Sequence, residues 1–217
     1  MKAETLSWHA CDLEGSVSAR FERVAARFPG KAAIRSGTEA ITYDALNRAA
    51  DRVAHAALGR ASSQQPIAVL LEHGASPVVA ILGVLKAGTF YIALNPSHPC
   101  SHLQNILADA GASLIVTNSR NLDLARQLAA DESGILNIDT IPGEVPDTNR
   151  RISSDAEGHF GLFYTSGSAG QPKGILHNHR HILHRAMILA EAYRLGPTDR
   201  IPLAISCTWL SRTELRE

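Results

Sequence analysis

The stretch that decides the fold reads Tyr164-Thr165-Ser166-Gly167-Ser168-Ala169-Gly170-Gln171-Pro172-Lys173-Gly174. A strand is predicted just before it, over residues 159–164, and a helix is predicted soon after it, over residues 179–194. The three glycines let the backbone approach an anion closely, so that successive amide N–H groups converge on phosphate oxygens. Hydroxyl side chains and the ammonium group of Lys173 add further ligands for an anion. The stretch therefore predicts a cradle for a polyphosphate.

Two other interpretations of this loop have to be weighed. A Ser-Gly-Ser-x-Gly segment taken alone is more often a flexible hairpin loop. The P-loop of NTPases needs four residues between its glycines, and a lysine followed at once by serine or threonine. Only two residues separate Gly167 from Gly170, and Lys173 precedes Gly174. This spacing excludes the P-loop, and the rest of the sequence decides against a merely flexible loop.

Composition limits the classes of partner. The 217 residues include 21 lysines and arginines and 21 aspartates and glutamates, so no overall charge draws the chain to nucleic acid or to an anionic membrane. The three cysteines are widely spaced and form no Cys-x-x-Cys pair, which favours a reducing cytoplasm. We find neither a signal peptide nor an apolar run of the roughly 20 residues that span a bilayer.

Helical and strand-like patterns alternate along the chain, and this alternation predicts an α/β fold with a layered parallel sheet and helices on both faces. The predicted helices cover 17–28, 42–58, 78–86, 103–110, 122–130 and 179–194. The predicted strands cover 32–35, 67–71, 90–94, 113–117, 135–138 and 159–164. A polar stretch, 142–157, is expected to be a surface connection.

Three segments, in the same order, resemble one family. The loop is similar to the phosphate loop of adenylate-forming enzymes, which include acyl-CoA synthetases, luciferases and the adenylation domains of nonribosomal peptide synthetases. Residues 41–47 (Ile-Thr-Tyr-Asp-Ala-Leu-Asn) and 85–96 (Leu-Lys-Ala-Gly-Thr-Phe-Tyr-Ile-Ala-Leu-Asn-Pro) resemble two further family segments, both interpreted as structural. The second segment favours the amino-acid-activating branch. Ala169 departs from the family, which usually has threonine there, and so removes one hydroxyl from the loop.

The resemblance implies an ATP-dependent reaction. A substrate carboxylate, an amino acid being one candidate, would attack the α-phosphate of ATP to give an acyl-adenylate and pyrophosphate, with Mg²⁺ required. The acyl group would then pass to a pantetheine thiol of CoA or of a carrier protein. The positions expected to hold the ATP phosphates are Thr165, Ser166, Gly167, Ser168, Ala169, Gly170 and Lys173. His179 matches a family position that could line the site.

The resemblance is partial. It implies a tail over residues 1–15, the N-terminal part of the large domain over 16–205, and an atypical end over 206–217. The later adenine pocket, the ribose-binding aspartate and the catalytic lysine of the family are not found, so no catalytic residue is assigned. The chain is therefore expected to be truncated, inactive alone, and to expose an open sheet edge. The alternative is a non-catalytic remnant that serves as a nucleotide-binding or interaction module.

A histidine-rich run suggests a metal site. His177, His179 and His181 alternate, but no nearby carboxylate or cysteine completes a set of ligands. No metal ligand is therefore assigned.

Overall fold

Six α-helices and eight strands make up the part of the chain that the structure, a computed structural model, describes: residues 8, 10–61, 64–148, 155–165 and 173–202. The helices are α1 (Val17–Arg27), α2 (Tyr43–Ala57), α3 (Ala75–Lys86), α4 (Cys100–Ala110), α5 (Leu122–Leu128) and α6 (His179–Ala192). The strands are β1 (Ala32–Ser36), β2 (Glu39–Thr42), β3 (Ile67–Leu70), β4 (Tyr91–Leu94), β5 (Leu114–Thr117), β6 (Ile135–Asn137), β7 (His159–Thr165) and β8 (Lys173–Asn178).

A six-stranded sheet of order β6-β5-β3-β4-β7-β8 forms the centre of the fold. The neighbouring strands from β6 to β7 are parallel, and β8 joins β7 in antiparallel register. From β3 the chain continues to β4, which lies beside β3 in the sheet. From β5, on the other side of β3, it continues outward in the opposite direction to β6. Ligands of open α/β sheets bind outside the carboxyl ends of the strands at such a reversal. The carboxyl edge of this sheet is therefore the place to look for a site.

The sheet carries helices on both faces because successive side chains of its strands point to opposite faces and are apolar on both. Ile67 and Val69 of β3 point into a cluster with Val53 of α2 and Val84 of α3, whereas Ala68 and Leu70 point into a second cluster. That second cluster includes Leu103 and Leu107 of α4 and Ala125 of α5. A strand buried on both faces reads as a continuous apolar run, as Ile67–Leu70 does. The predicted α/β layered fold is confirmed.

The structure adds two strands that the sequence patterns did not predict, β2 and β8. β2 pairs with the predicted strand β1 in a separate antiparallel hairpin around Gly37, whose φ of 57° lies in the left-handed region. β8 lies where we predicted only a loop leading into a helix. The sheet is consequently mixed, with an antiparallel edge strand beside β7. Two helices also begin earlier than predicted, α3 at Ala75 and α4 at Cys100.

A buried ion pair joins the first three helices. The Nζ of Lys86, at the end of α3, donates to Asp51 Oδ1 of α2 at 2.7 Å and to Glu22 Oε1 of α1 at 2.6 Å. The side chains of Lys86 and Asp51 are 2% and 3% exposed, while that of Glu22 reaches solvent. Burial raises the pKa of Asp51, although the hydrogen bond and charge of Lys86 oppose this rise. Lys86 therefore does more than close a helix.

None of the helices in the described ranges combines the length and the apolar character that a bilayer crossing requires.

Candidate phosphate-binding hairpin

The candidate loop connects β7 to β8 at the carboxyl edge of the sheet. Thr165 and Lys173 are direct partners across this antiparallel pair, and the Thr165 hydroxyl lies 3.5 Å from the Lys173 carbonyl oxygen, to which it donates. Both residues are exposed. Ser166, Gly167, Ser168, Ala169 and Gly170 lie outside the described residues. The structure thus places one hydroxyl and one cation side by side where the two strands open into the loop.

Tyr164 fixes the base of this hairpin in two ways. Its hydroxyl donates to Asp109 Oδ2 of α4 at 2.6 Å, which ties β7 to the helix below it. Its ring also covers Gly174, the cross-strand partner, where a Cβ atom would lie 3.3 Å from Tyr164 Cζ and 3.0 Å from Leu162 Cδ1. Burial raises the pKa of Tyr164, and the hydrogen bond to Asp109 raises it further, so the phenol stays protonated as the donor. Asp109 carries no motif that could have drawn attention to it in the sequence.

Tyr164→Phe should therefore weaken the anchoring of the hairpin without removing the ring that covers Gly174. We expect a loss of about 1–2 kcal/mol in the free energy of unfolding, because the lost hydrogen bond has a charged acceptor. Asp109→Asn should cost a similar amount, and the double variant no more than the larger single effect. Urea titrations of the four proteins measure this coupling. Additive losses would show that the hydrogen bond does not join the two residues energetically.

A second polar group lies at the carboxyl edge of the sheet, where the connections reverse. Glu72, just after β3, accepts a hydrogen bond of 2.9 Å from Asn118 Nδ2, just after β5, and lies 3.1 Å from Arg120 Nε. Burial acts to raise the pKa of Glu72, but the bond from Asn118 and the charge of Arg120 outweigh it, and the pKa is lowered. Glu72 is therefore a carboxylate at neutral pH.

His179 lies at the opposite end of β8 from Lys173. Its backbone N–H donates to Gly158 O, and its Nδ1 accepts from Val17 N–H at 3.3 Å. Five residues lie between it and Lys173, so the two Cα atoms are six steps, or about 20 Å, apart at the usual strand rise. Burial lowers the pKa of His179 to about 4, so the ring is neutral. The structure does not bring His179 to the loop, because β8 runs away from it; the residue instead joins α6 to the start of α1.

The neighbouring histidines are arranged in the same region. The His177 ring lies edge-on to those of Phe163 and His181, at centroid distances of 5.4 and 6.0 Å. Burial lowers the pKa of His177, and the positive charges of His181 and Arg185 add to this. Within the described part of the chain, histidine, cysteine, aspartate and glutamate side chains form no group of three that could hold a metal ion.

The model of the AMP-binding enzyme family matches residues 21–212. The chain belongs to the AMP-binding enzyme family. It is 33% identical over 183 residues to Zwittermicin A synthase ZmaJ of Bacillus cereus, covering 83% of this chain and 34% of that protein. It is 34% identical over 199 residues to Chondramide synthase cmdD of Chondromyces crocatus, covering 88% of this chain and 5% of that protein.

A solved nonribosomal peptide synthetase shares the fold. The crystal structure of the nonribosomal peptide synthetase FmoA3 matches with a TM-score of 0.82 at 23% identity, over 95% of this chain and 21% of that one. The chain thus spans about a third of ZmaJ and a smaller part of the large synthetases. The predicted membership, as an N-terminal portion of such an enzyme, is confirmed.

Proposed function

We propose that this chain supplies the phosphate-binding hairpin of an adenylate-forming reaction. The observation that carries the proposal is the pairing of Thr165 with Lys173 at the carboxyl edge of the sheet. An exposed ammonium group and hydroxyl beside a glycine-rich loop suit the β- and γ-phosphates of ATP, and both lie at the carboxyl edge of the sheet, the edge at which open α/β sheets bind ligands. The loop positions Ser166, Gly167, Ser168, Ala169 and Gly170 would complete the cradle through backbone amides and hydroxyls.

The chemistry follows from what these groups can do. In the proposed reaction a carboxylate attacks the α-phosphate, an acyl-adenylate forms, and negative charge moves onto the departing pyrophosphate. Lys173 and the loop amides would neutralise that charge as it develops, which is the main way in which proteins accelerate phosphorus chemistry. Mg²⁺ would accompany ATP, and we assign it no protein ligand. The acyl group would then pass to the thiol of CoA or of a carrier protein.

Two solved structures of FmoA3 support the proposed ligands. One is an AMPPNP-bound form and the other is bound to alpha-methyl-L-serine-AMP. An amino acid is therefore the carboxylate that we propose for this chain too. A cytoplasmic location is proposed on the cysteine pattern. Because the chain spans only part of its relatives, we expect it alone to bind nucleotide without turning over.

Lys173→Ala should weaken binding of ATP by about 10- to 100-fold, because it removes a charge-assisted contact to phosphate. The measurement is calorimetric titration of the chain with MgATP. Lys31→Ala removes another exposed lysine outside the loop and serves as the matched control, with affinity unchanged. Ala169→Thr, which adds the hydroxyl usual in the family, should strengthen binding.

Absence of measurable ATP binding by the unaltered chain, or equal affinity of the Lys173 variant, would remove the proposal. The remaining candidate would then be a non-catalytic interaction module, which the exposed apolar side chains of β8 and α6 favour. Substrate-dependent exchange of pyrophosphate into ATP by a longer form, extended to the length of its relatives, tests the complete reaction.

A further inference from the structure

A row of exposed cations runs along helix α1 and on into strand β1. Its members follow one another at steps of four residues, and we call them the basic row: Arg23, Arg27, Lys31 and Arg35. The only acidic residue between positions 15 and 38 is Glu22, and its carboxylate already accepts from Lys86. In a chain whose formal net charge is zero, the basic row is therefore a local concentration of positive charge.

The geometry of α1 and of the turn after it keeps the row together. Arg23 and Arg27 are one helical turn apart, or about 6 Å along the axis, so they lie on the same side of α1. Arg27 Cζ lies 5.2 Å from the centre of the Phe28 ring, and Lys31 Nζ lies 5.5 Å from it. The Phe28 ring thus holds two cations close to each other at the end of α1, and Arg35 continues the row on β1.

Most of this positive charge is not neutralised within the described part of the molecule. Arg23 lies 3.0 Å from Asp12 Oδ1, but the same oxygen binds Arg20 at 2.6 Å. In the described ranges, the other three members of the basic row form no ion pair with a carboxylate, and Lys31 donates to the carbonyl of Pro197. An exposed set of cations of this kind favours an anionic partner.

The surroundings of the basic row favour a protein over nucleic acid or a membrane. Single-stranded nucleic acid stacks its bases on open aromatic rings. The rings beside the row are instead covered by cations of the chain itself, Trp8 by Arg20 at 3.5 Å and Phe28 by two members of the row. A helix that lies on a membrane inserts large apolar side chains. In the described ranges, every exposed large apolar residue lies elsewhere, between 175 and 201.

The spacing of the cations suits a helix. Acidic residues three or four positions apart on a helix present carboxylates about 5–6 Å apart, which matches Arg23 and Arg27. Ala26, which is exposed beside them, has a short side chain and lets another helix approach α1 closely. None of the six described helices carries two exposed carboxylates three or four residues apart, so a second copy of the chain offers no such helix.

We propose that the basic row binds an acidic helix of a different protein, with carboxylates along one side at steps of three or four residues. The cations would pair with these carboxylates, and the complementary charge would accelerate association and select the partner. Neither Thr165 nor Lys173 belongs to the row. The inference therefore goes beyond the proposed function and does not depend on it.

The probe for this surface is a stapled helical peptide of about 20 residues that carries glutamates along one side at steps of four. A stapled peptide of the same composition, with its glutamates distributed around the helix, is its control. Fluorescence anisotropy with the full chain should show about tenfold tighter binding of the patterned peptide, and the affinity should fall as salt is added.

The double variant Arg23→Ala, Arg27→Ala should weaken binding of the patterned peptide about tenfold, because each change removes a surface ion pair worth up to about 1 kcal/mol. The matched control is the double variant Arg126→Ala, Arg180→Ala, which removes two exposed arginines outside the row. It changes the net charge equally and should alter the affinity less than about twofold. Circular dichroism verifies that both variants remain folded.

Four outcomes would overturn the inference. These are equal affinity for the two peptides, equal effects of the two double variants, tighter binding of a DNA duplex or of phosphatidylserine vesicles than of the patterned peptide, and a homodimer that the Arg23 and Arg27 changes dissociate. Lys173→Ala should leave peptide binding unchanged. Failure of ATP binding is thus distinguished from failure of docking.

Discussion

Replacing Lys86 by methionine should lower the free energy of unfolding by about 3–5 kcal/mol, the usual cost of removing one partner of a buried ion pair. The substitution keeps most of the side-chain volume but leaves Asp51, which is buried, without the ammonium group 2.7 Å away. Glu22, which is partly exposed, can turn to water. Because α1, α2 and α3 meet at this lysine, the loss should be global. Urea unfolding followed by circular dichroism measures it.

Two further variants test whether the loss of stability comes from the buried ion pair. Lys31→Met alters an exposed lysine whose Nζ donates to Pro197 O, and the loss of this surface hydrogen bond should cost no more than about 1 kcal/mol. Combining Lys86→Met with Asp51→Asn removes the stranded charge and should recover about 1–2 kcal/mol. A single Lys86 variant as stable as the Lys31 control would show that the pair is energetically neutral.

Acidification should destabilise the protein through His179. Burial lowers the pKa of this ring from 6.5 to about 4 in the folded state, so the unfolded chain binds the proton more readily. The contribution to stability is complete above about pH 6.5 and is lost as the pH falls towards 4, with about 2 kcal/mol lost by pH 5. Protonation of Nδ1 would also end its role as acceptor for Val17 N–H.

The measurement compares the unaltered chain with His179→Asn in urea titrations from pH 7 to pH 5. Asparagine places an oxygen near the position of Nδ1 but does not titrate in this range. The stability difference between the two proteins should shrink on acidification, while contributions from Asp51 and His177 cancel because both chains share them. A difference that stays constant with pH would refute the assignment to His179.

The sequence predicts most of the fold because the decisive signals are local. Strands buried on both faces, such as Ile67–Leu70, read as apolar runs, and the helices between them show regular spacing. β8 could not be predicted in this way, because Lys173–Asn178 contains lysine, glycine, histidine and asparagine, a composition that is typical of a turn. It becomes a strand because the backbone of β7 offers a partner, and tertiary pairing outweighs propensity.

The candidate site is predictable to the same extent. The loop residues could be predicted from their pattern, and the structure places Thr165 and Lys173 together. Asp109 could not be predicted, since its contact with Tyr164 spans 55 positions and has no local signature. The ion pair of Lys86 could not be predicted either. A lysine at a helix end is usually solvated, and neither of its two carboxylate partners lies nearby in sequence.

The hydrogen bond between Val17 N–H and the His179 ring affects how the nascent chain folds during synthesis. The two residues are 162 positions apart, and at ordinary rates of synthesis about 8–30 s pass between their appearance at the ribosome. During that time β3, β4, β5 and β6 can already assemble, because each has its parallel neighbour. The beginning of α1 therefore waits for a residue that is made 162 positions later. A ribosome that stalls before residue 179 would leave that helix start without the histidine ring that accepts its N–H.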